Sequence, residues 1–157
     1  MPGLWNRKYV VFISHTNGSK SGRIVKELAS ALNHNGITPY VAEEDKQPGI
    51  YLCDKIKLNI LMSDLIVIVW TEDASYSSYV NQELGWADDK RPCILFVQKG
   101  VPVKGFFEGK EHIEFDISNP SDGIAALMEC VTKLRICSIA GVQEHVPPRP
   151  HDVFPLT

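Results

Sequence analysis

Between Asp64 and Trp70 the chain runs LIVIVW without a polar residue. Such a run leaves no position for a solvent-facing side chain, so it fits a strand covered on both faces, as central strands of parallel sheets are. A parallel sheet requires crossover connections, usually helices, and the flanking sequence supplies them. Residues 9–14 read as a first strand. Residues 22–35 read as a helix stopped by Gly36, with Ile24, Leu28, Ala31 and Leu32 as its buried stripe, widened by Val25 and Ala29. A second strand over 38–42 leads into a polar loop, 43–49, with Pro48 and Gly49 as turn residues, and then a helix over 51–62. The third strand, 64–70, opens through another polar loop onto a helix that Ser77 or Ser78 can cap, with Val80, Leu84 and Ala87 facing the core. Residues 93–97 are a fourth strand, 113–115 a short fifth, and 123–136 a last helix with Ile124, Leu127, Met128, Val131 and Leu134 as its apolar face. The Gly-punctuated stretch 98–112, with Phe106 and Phe107 as anchors onto the body, carries no regular period.

Short connections and right-handed crossovers place these strands in an α/β fold, a flavodoxin-like, doubly wound, five-stranded parallel sheet of order 2-1-3-4-5 flanked by helices. Ligands of such sheets bind where the order reverses, between strands one and three. The loops HTNGSKSG (15–22) and TEDASYSS (71–78) therefore share one crevice. Ser14, His15, Thr16, Trp70 and Thr71 stand at its strand ends. Tyr79, Glu83 and Trp86 recur at helical spacing on one face of the following helix, where a carboxylate between two rings could hold a sugar and a flat base together. A solvated glutamate beside two half-buried aromatics is the competing reading. A phosphorelay receiver needs acidic residues after strand one and an Asp ending strand three; Ser14, His15 and Trp70 occupy those places. A flavin phosphate loop is only partly present in Thr16, Gly18, Ser19 and Ser21. An N-riboside is the third possible occupant.

At 157 residues the chain is one domain by length, and a chain of this size buries roughly 70% of its unfolded surface without staples. Cys53, Cys93, Cys130 and Cys137 show no CxxC spacing and no His at ligand distance. Reduced, mostly buried thiols in a cytoplasmic protein with no metal site are expected. The net charge of −3 comes with no basic cluster, which argues against nucleic acid or an anionic membrane as partner. No apolar run is long enough to span a bilayer. The run YVVFI after Arg7 and Lys8 ends at Ser14 and His15 and is a strand, not a secretory signal. Past Cys137 the periodicity ends, and four of the ten prolines fall in the last seventeen residues. Residues 1–137 are thus read as the domain and 138–157 as a Pro-rich tail, in which PPRP (147–150) can adopt the polyproline conformation.

Three segments in register resemble a Toll/interleukin-1 receptor (TIR) domain of the small standalone prokaryotic, Thoeris-like kind. VFISH (11–15) resembles the family's first box. GITPYVAEEDKQPG (36–49) resembles strand two with its BB loop, and SDLIVIVWTEDASYSSYVNQEL (63–84) resembles strand three with the helix that bears the catalytic glutamate. The resemblance covers residues 9 to about 136.

The resemblance implies NAD+ glycohydrolase or cyclase activity, with NAD+ as substrate and no cofactor, in prokaryotic antiphage defence. Glu83 would be the catalytic residue. Ser14, His15, Thr16, Trp70, Thr71 and Tyr79 would contact substrate; many relatives carry Trp where Tyr79 stands. Glu43, Glu44, Asp45, Pro48 and Gly49 of the BB loop would reach a neighbouring subunit, so self-association is implied, with sensor and effector on separate proteins. His15 also reads as a structural group ending a strand, and the acidic start of the BB loop as a solvated turn. Two other functions fit the same residues. ELGWA (83–87) resembles the helix of nucleoside deoxyribosyltransferases, and a catalytically silent TIR adaptor needs no Glu83.

Overall fold

The computed structural model describes residues 8–15, 19–41, 52–72, 89–103, 109 and 111–139. In chain order these form β1 (Val10–Ser14), α1 (Ser19–His34), β2 (Thr38–Val41), α2 (Leu52–Met62), β3 (Leu65–Trp70), β4 (Cys93–Gln98), β5 (His112–Phe115) and α3 (Ser121–Ile139). The five strands make one all-parallel sheet of order β2-β1-β3-β4-β5, as the crossover argument requires. β3 lies at its centre with all six residues buried.

Alternation along the strands divides the core into two layers. Val11, Ile13, Val67, Val69 and Phe96 pack with Ile24, Leu28 and Leu32 of α1 and Leu127 and Val131 of α3. Phe12, Ile66, Ile68, Trp70, Leu95 and Val97 face the other way, onto Ile60 of α2. The rings of Phe12 and Tyr40 stack across β1 and β2 at 5.7 Å.

Helix ends are fixed by specific bonds. α1 stops in a Schellman turn: the Ile37 N–H donates to the Leu32 carbonyl at 2.9 Å and the Gly36 N–H to the Asn33 carbonyl at 3.1 Å. Gly36 has φ 72, the left-handed conformation that this cap requires. At the end of α2, Arg91 donates through Nη2 to the Leu61 carbonyl at 2.6 Å and through Nε to the Ser63 carbonyl at 2.9 Å. One guanidinium thus satisfies carbonyls that a helix terminus otherwise leaves unpaired. α3 lies close on β5, where a Cβ added at Gly123 would fall 2.6 Å from Phe115 Cβ and 2.9 Å from the Glu114 carbonyl oxygen.

Several boundaries differ from the sequence expectation. α1 begins at Ser19 and runs through Gly22, α3 extends over Ser121–Ile139, and β4 continues one residue to Gln98. The three described cysteines, none in a disulfide, are less buried than expected: Cys93 and Cys130 are half-buried and Cys137 is exposed. Among the described residues no helix is long and apolar enough to cross a membrane. The helix expected to carry Glu83, the BB loop and the Pro-rich tail lie outside the described residues.

Candidate functional site

In a parallel sheet every strand ends at the same edge, so the order β2-β1-β3 brings the carboxyl ends of β1 and β3 together at the point of reversal. Ser14 is the last residue of β1 and stands opposite Ile68 in the register. His15 follows it, and both are half-buried. On the other side of the reversal, Trp70 ends β3 and Thr71 follows. The structure therefore gathers Ser14, His15, Trp70 and Thr71 at one edge. Thr16, Tyr79 and Glu83 lie outside the described residues, as do Glu43, Glu44, Asp45, Pro48 and Gly49.

The four placed residues have different surroundings. Trp70 is 0% exposed and belongs to the α2 side of the core. Its indole N–H donates to the Pro102 carbonyl at 3.3 Å. That bond braces the loop that follows β4 against the end of β3. Thr71 is 1% exposed, and its hydroxyl oxygen has no hydrogen-bond partner among the described residues. Leaving a buried hydroxyl unpaired is unfavourable by about 1–3 kcal/mol, so the position favours a polar group that can complete it.

Gln98 was missed by reading the sequence. It ends β4, is 7% exposed, and its Oε1 is also buried without a partner among the described residues. The signal available was its polarity at the end of the apolar run CILFV, which reads as the start of a loop.

Polar groups at this edge sit above an apolar sheet, an arrangement that suits a ligand with hydroxyl and amide groups around a compact body. Among the described residues, no group of three His, Cys, Asp or Glu side chains could hold a metal ion. An open hollow of about 930 Å³ lies elsewhere, bordered by Gly100, Val101, Pro102, Val103, His112 and Glu114. Its polar wall is an exposed His112–Glu114 pair at 3.2 Å on the outer strand. The topological reversal, between β1 and β3, is the better-founded site, because there a strand-order argument and an unpaired buried hydroxyl coincide.

The family model for the TIR domain matches residues 11–128. No curated protein matches the chain. Among solved structures, the chain is similar to the TIR domain of the Toll-related receptor TRR-2 from the lower metazoan Hydra magnipapillata. That likeness has a TM-score of 0.66 and 16% identity, covering 80% of this chain and 97% of the other. It is also similar to the TIR domains of the activated Roq1 resistosome, which directly recognizes the pathogen effector XopQ. Here the TM-score is 0.53 and the identity 17%, over 88% of this chain and 87% of the other. At such identities the likeness is one of fold.

Proposed function

The chain belongs to the TIR domain family, and from that premise we propose that it is an NAD+ glycohydrolase or cyclase that cleaves the bond between nicotinamide and ribose. The observation that carries this reading is the buried Thr71 hydroxyl, without a partner among the described residues, at the carboxyl edge of the sheet where β1 also ends in Ser14 and His15. Cleavage expels neutral nicotinamide and leaves a ribosyl oxocarbenium ion. Glu83 supplies the carboxylate that stabilises this cation and hydrogen-bonds the ribose hydroxyls. Tyr79, one helical turn earlier, offers a ring for stacking. Ser14, His15, Thr16 and Thr71 hold the ribose and its neighbours. Attack by water then gives ADP-ribose, and attack by a nitrogen of the adenine gives a cyclic isomer.

Self-association belongs to the same reading and is supported by the likeness to TIR domains of a resistosome. The BB loop, with Glu43, Glu44, Asp45, Pro48 and Gly49, is the segment assigned to that contact. The protein acts in the cytoplasm as a prokaryotic antiphage defence module of Thoeris-like type, with sensor and effector as separate proteins.

The deciding experiment incubates concentrated protein, and its Glu83→Gln form, with NAD+ and separates the products by chromatography. Release of nicotinamide by the wild type alone is the expected result. Equal release by both forms removes Glu83 from the chemistry. No release by either, even under crowding, favours the second reading, a non-catalytic adaptor, which the likeness to a receptor TIR domain supports.

A further inference from the structure

Among the described residues two buried polar atoms remain unpaired, both at the carboxyl edge, Thr71 Oγ1 and Gln98 Oε1. They come from neighbouring strands. Trp70 stands opposite Val97 in the β3–β4 register, so the next position along both strands brings Thr71 beside Gln98. Alternation fixes the face. Val69 and Phe96, two residues earlier in each strand, belong to the layer packed by α1 and α3, and Thr71 and Gln98 continue that layer to the edge. Trp70 and Val97 belong to the opposite layer.

Gln98 is held there by its backbone on both sides. It pairs with Phe115 in the β4–β5 register, and the next residue's N–H, that of Lys99, donates to the Phe115 carbonyl at 2.8 Å. The Val101 N–H then donates to the Gln98 carbonyl at 3.1 Å, closing a turn in which Gly100 has φ 89. With strand and turn fixed, the side chain cannot reach water through a backbone shift. A leucine or methionine would fill the same place without an orphaned acceptor. An amide kept where an apolar residue would be more stable points to a ligand group that completes it.

We propose that Gln98, with Thr71, is a specificity contact of the substrate site: Gln98 Oε1 accepts a hydrogen bond from an N–H2 group of the ligand, and the Thr71 hydroxyl meets the acceptor beside it. The inference rests on the reading of this edge as an NAD+ site. Two parts of NAD+ present that donor–acceptor edge, the carboxamide of nicotinamide and the amino-pyrimidine edge of adenine. The chemistry is shared, and analogues separate the sources. Nicotinic acid adenine dinucleotide lacks the carboxamide N–H2, and nicotinamide hypoxanthine dinucleotide lacks the adenine amine.

The test measures binding of NAD+ and the two analogues to the full chain carrying Glu83→Gln, with and without Gln98→Leu, together with the melting temperature of each protein free of ligand. Gln98→Leu is expected to weaken NAD+ about tenfold or more and to abolish the preference for NAD+ over one analogue only, the one lacking the donor that Gln98 reads. The ligand-free melting temperature is expected to stay or rise, because an unpaired acceptor has been replaced by apolar surface. Thr71→Val is expected to act in the same direction on the same analogue. A fall in melting temperature with NAD+ affinity and analogue preference unchanged would mean that a buried water satisfies Gln98, and the inference is overturned. Because binding is read without turnover, wild type that releases no nicotinamide counts against the enzymatic reading alone. NAD+ that fails to bind any form overturns both.

Discussion

The backbone N–H of Val10 donates to the carboxylate of Asp64 at 2.8 Å, and the Asp64 N–H returns a bond to the Val10 carbonyl, also at 2.8 Å. The pair ties the start of β1 to the residue before β3, and so sets the register of the two strands whose far ends flank the proposed site. Asp64→Ala leaves a half-buried N–H without its charged acceptor. The expected loss of stability in denaturant unfolding is about 2 kcal/mol, as for a hydrogen bond to a charged group. Asp64→Asn, which keeps an acceptor oxygen, should lose less. Equal losses for the two variants would show that the bond contributes through charge and not through the oxygen's position.

The sheet was legible in the sequence because burial imposes a pattern: six consecutive apolar residues from Leu65 to Trp70 leave only a central strand. The strand order followed from connection rules, and with it the meeting of Ser14, His15 and Thr71 at one edge. Less legible were features set by tertiary contact. Gly22 reads as a helix boundary, yet α1 continues through it because Ser21 and Ile24 are buried on either side. Trp70 reads as one of several residues at the strand ends, and only alternation in the folded sheet sets it in the α2 layer beside Pro102. Gln98 reads as a loop residue, because only the three-dimensional register sets it beside Thr71.

Two glycines are expected to respond oppositely to alanine. At Gly123 the new Cβ meets Phe115 Cβ at 2.6 Å and backbone atoms at 2.9 Å, so α3 must move off β5. A loss of about 1–3 kcal/mol is expected. At Gly22 the Cβ meets nothing within 4 Å, and the residue lies inside α1. Gly22→Ala is expected to stabilise by about 0.5–1 kcal/mol through the lower entropy of the unfolded chain. Thermal and urea unfolding of both variants checks the contrast; a stabilising Gly123→Ala would contradict the close approach of helix and strand.

Asp116 accepts from the Ser118 hydroxyl at 2.6 Å and from the Ser118 N–H at 2.9 Å. These bonds, the side-chain one first, hold its carboxyl below the ordinary value of 3.8. A depressed pKa means that the folded state favours the ionised form. The contribution to stability is therefore complete above the ordinary value and is lost as pH falls through the lowered one. Wild type should exceed Asp116→Ala at neutral pH, and the two unfolding curves should converge in acid below that range. A difference that persists unchanged in acid would assign the effect of the substitution to the loop's packing.

Concentration dependence is expected where the BB loop, assigned to the contact between subunits, also completes the site of the neighbouring subunit. Specific NAD+-cleaving activity should then rise steeply with protein concentration or with crowding agents, in parallel with the fraction of assembled protein seen by light scattering. Gly49→Pro fixes a backbone angle within that loop and removes an N–H donor, so it should lower both assembly and activity. Measuring the two together separates the steps. Lost activity with assembly intact would place Gly49 in the site itself, whereas specific activity independent of concentration would mean that each subunit holds a complete site.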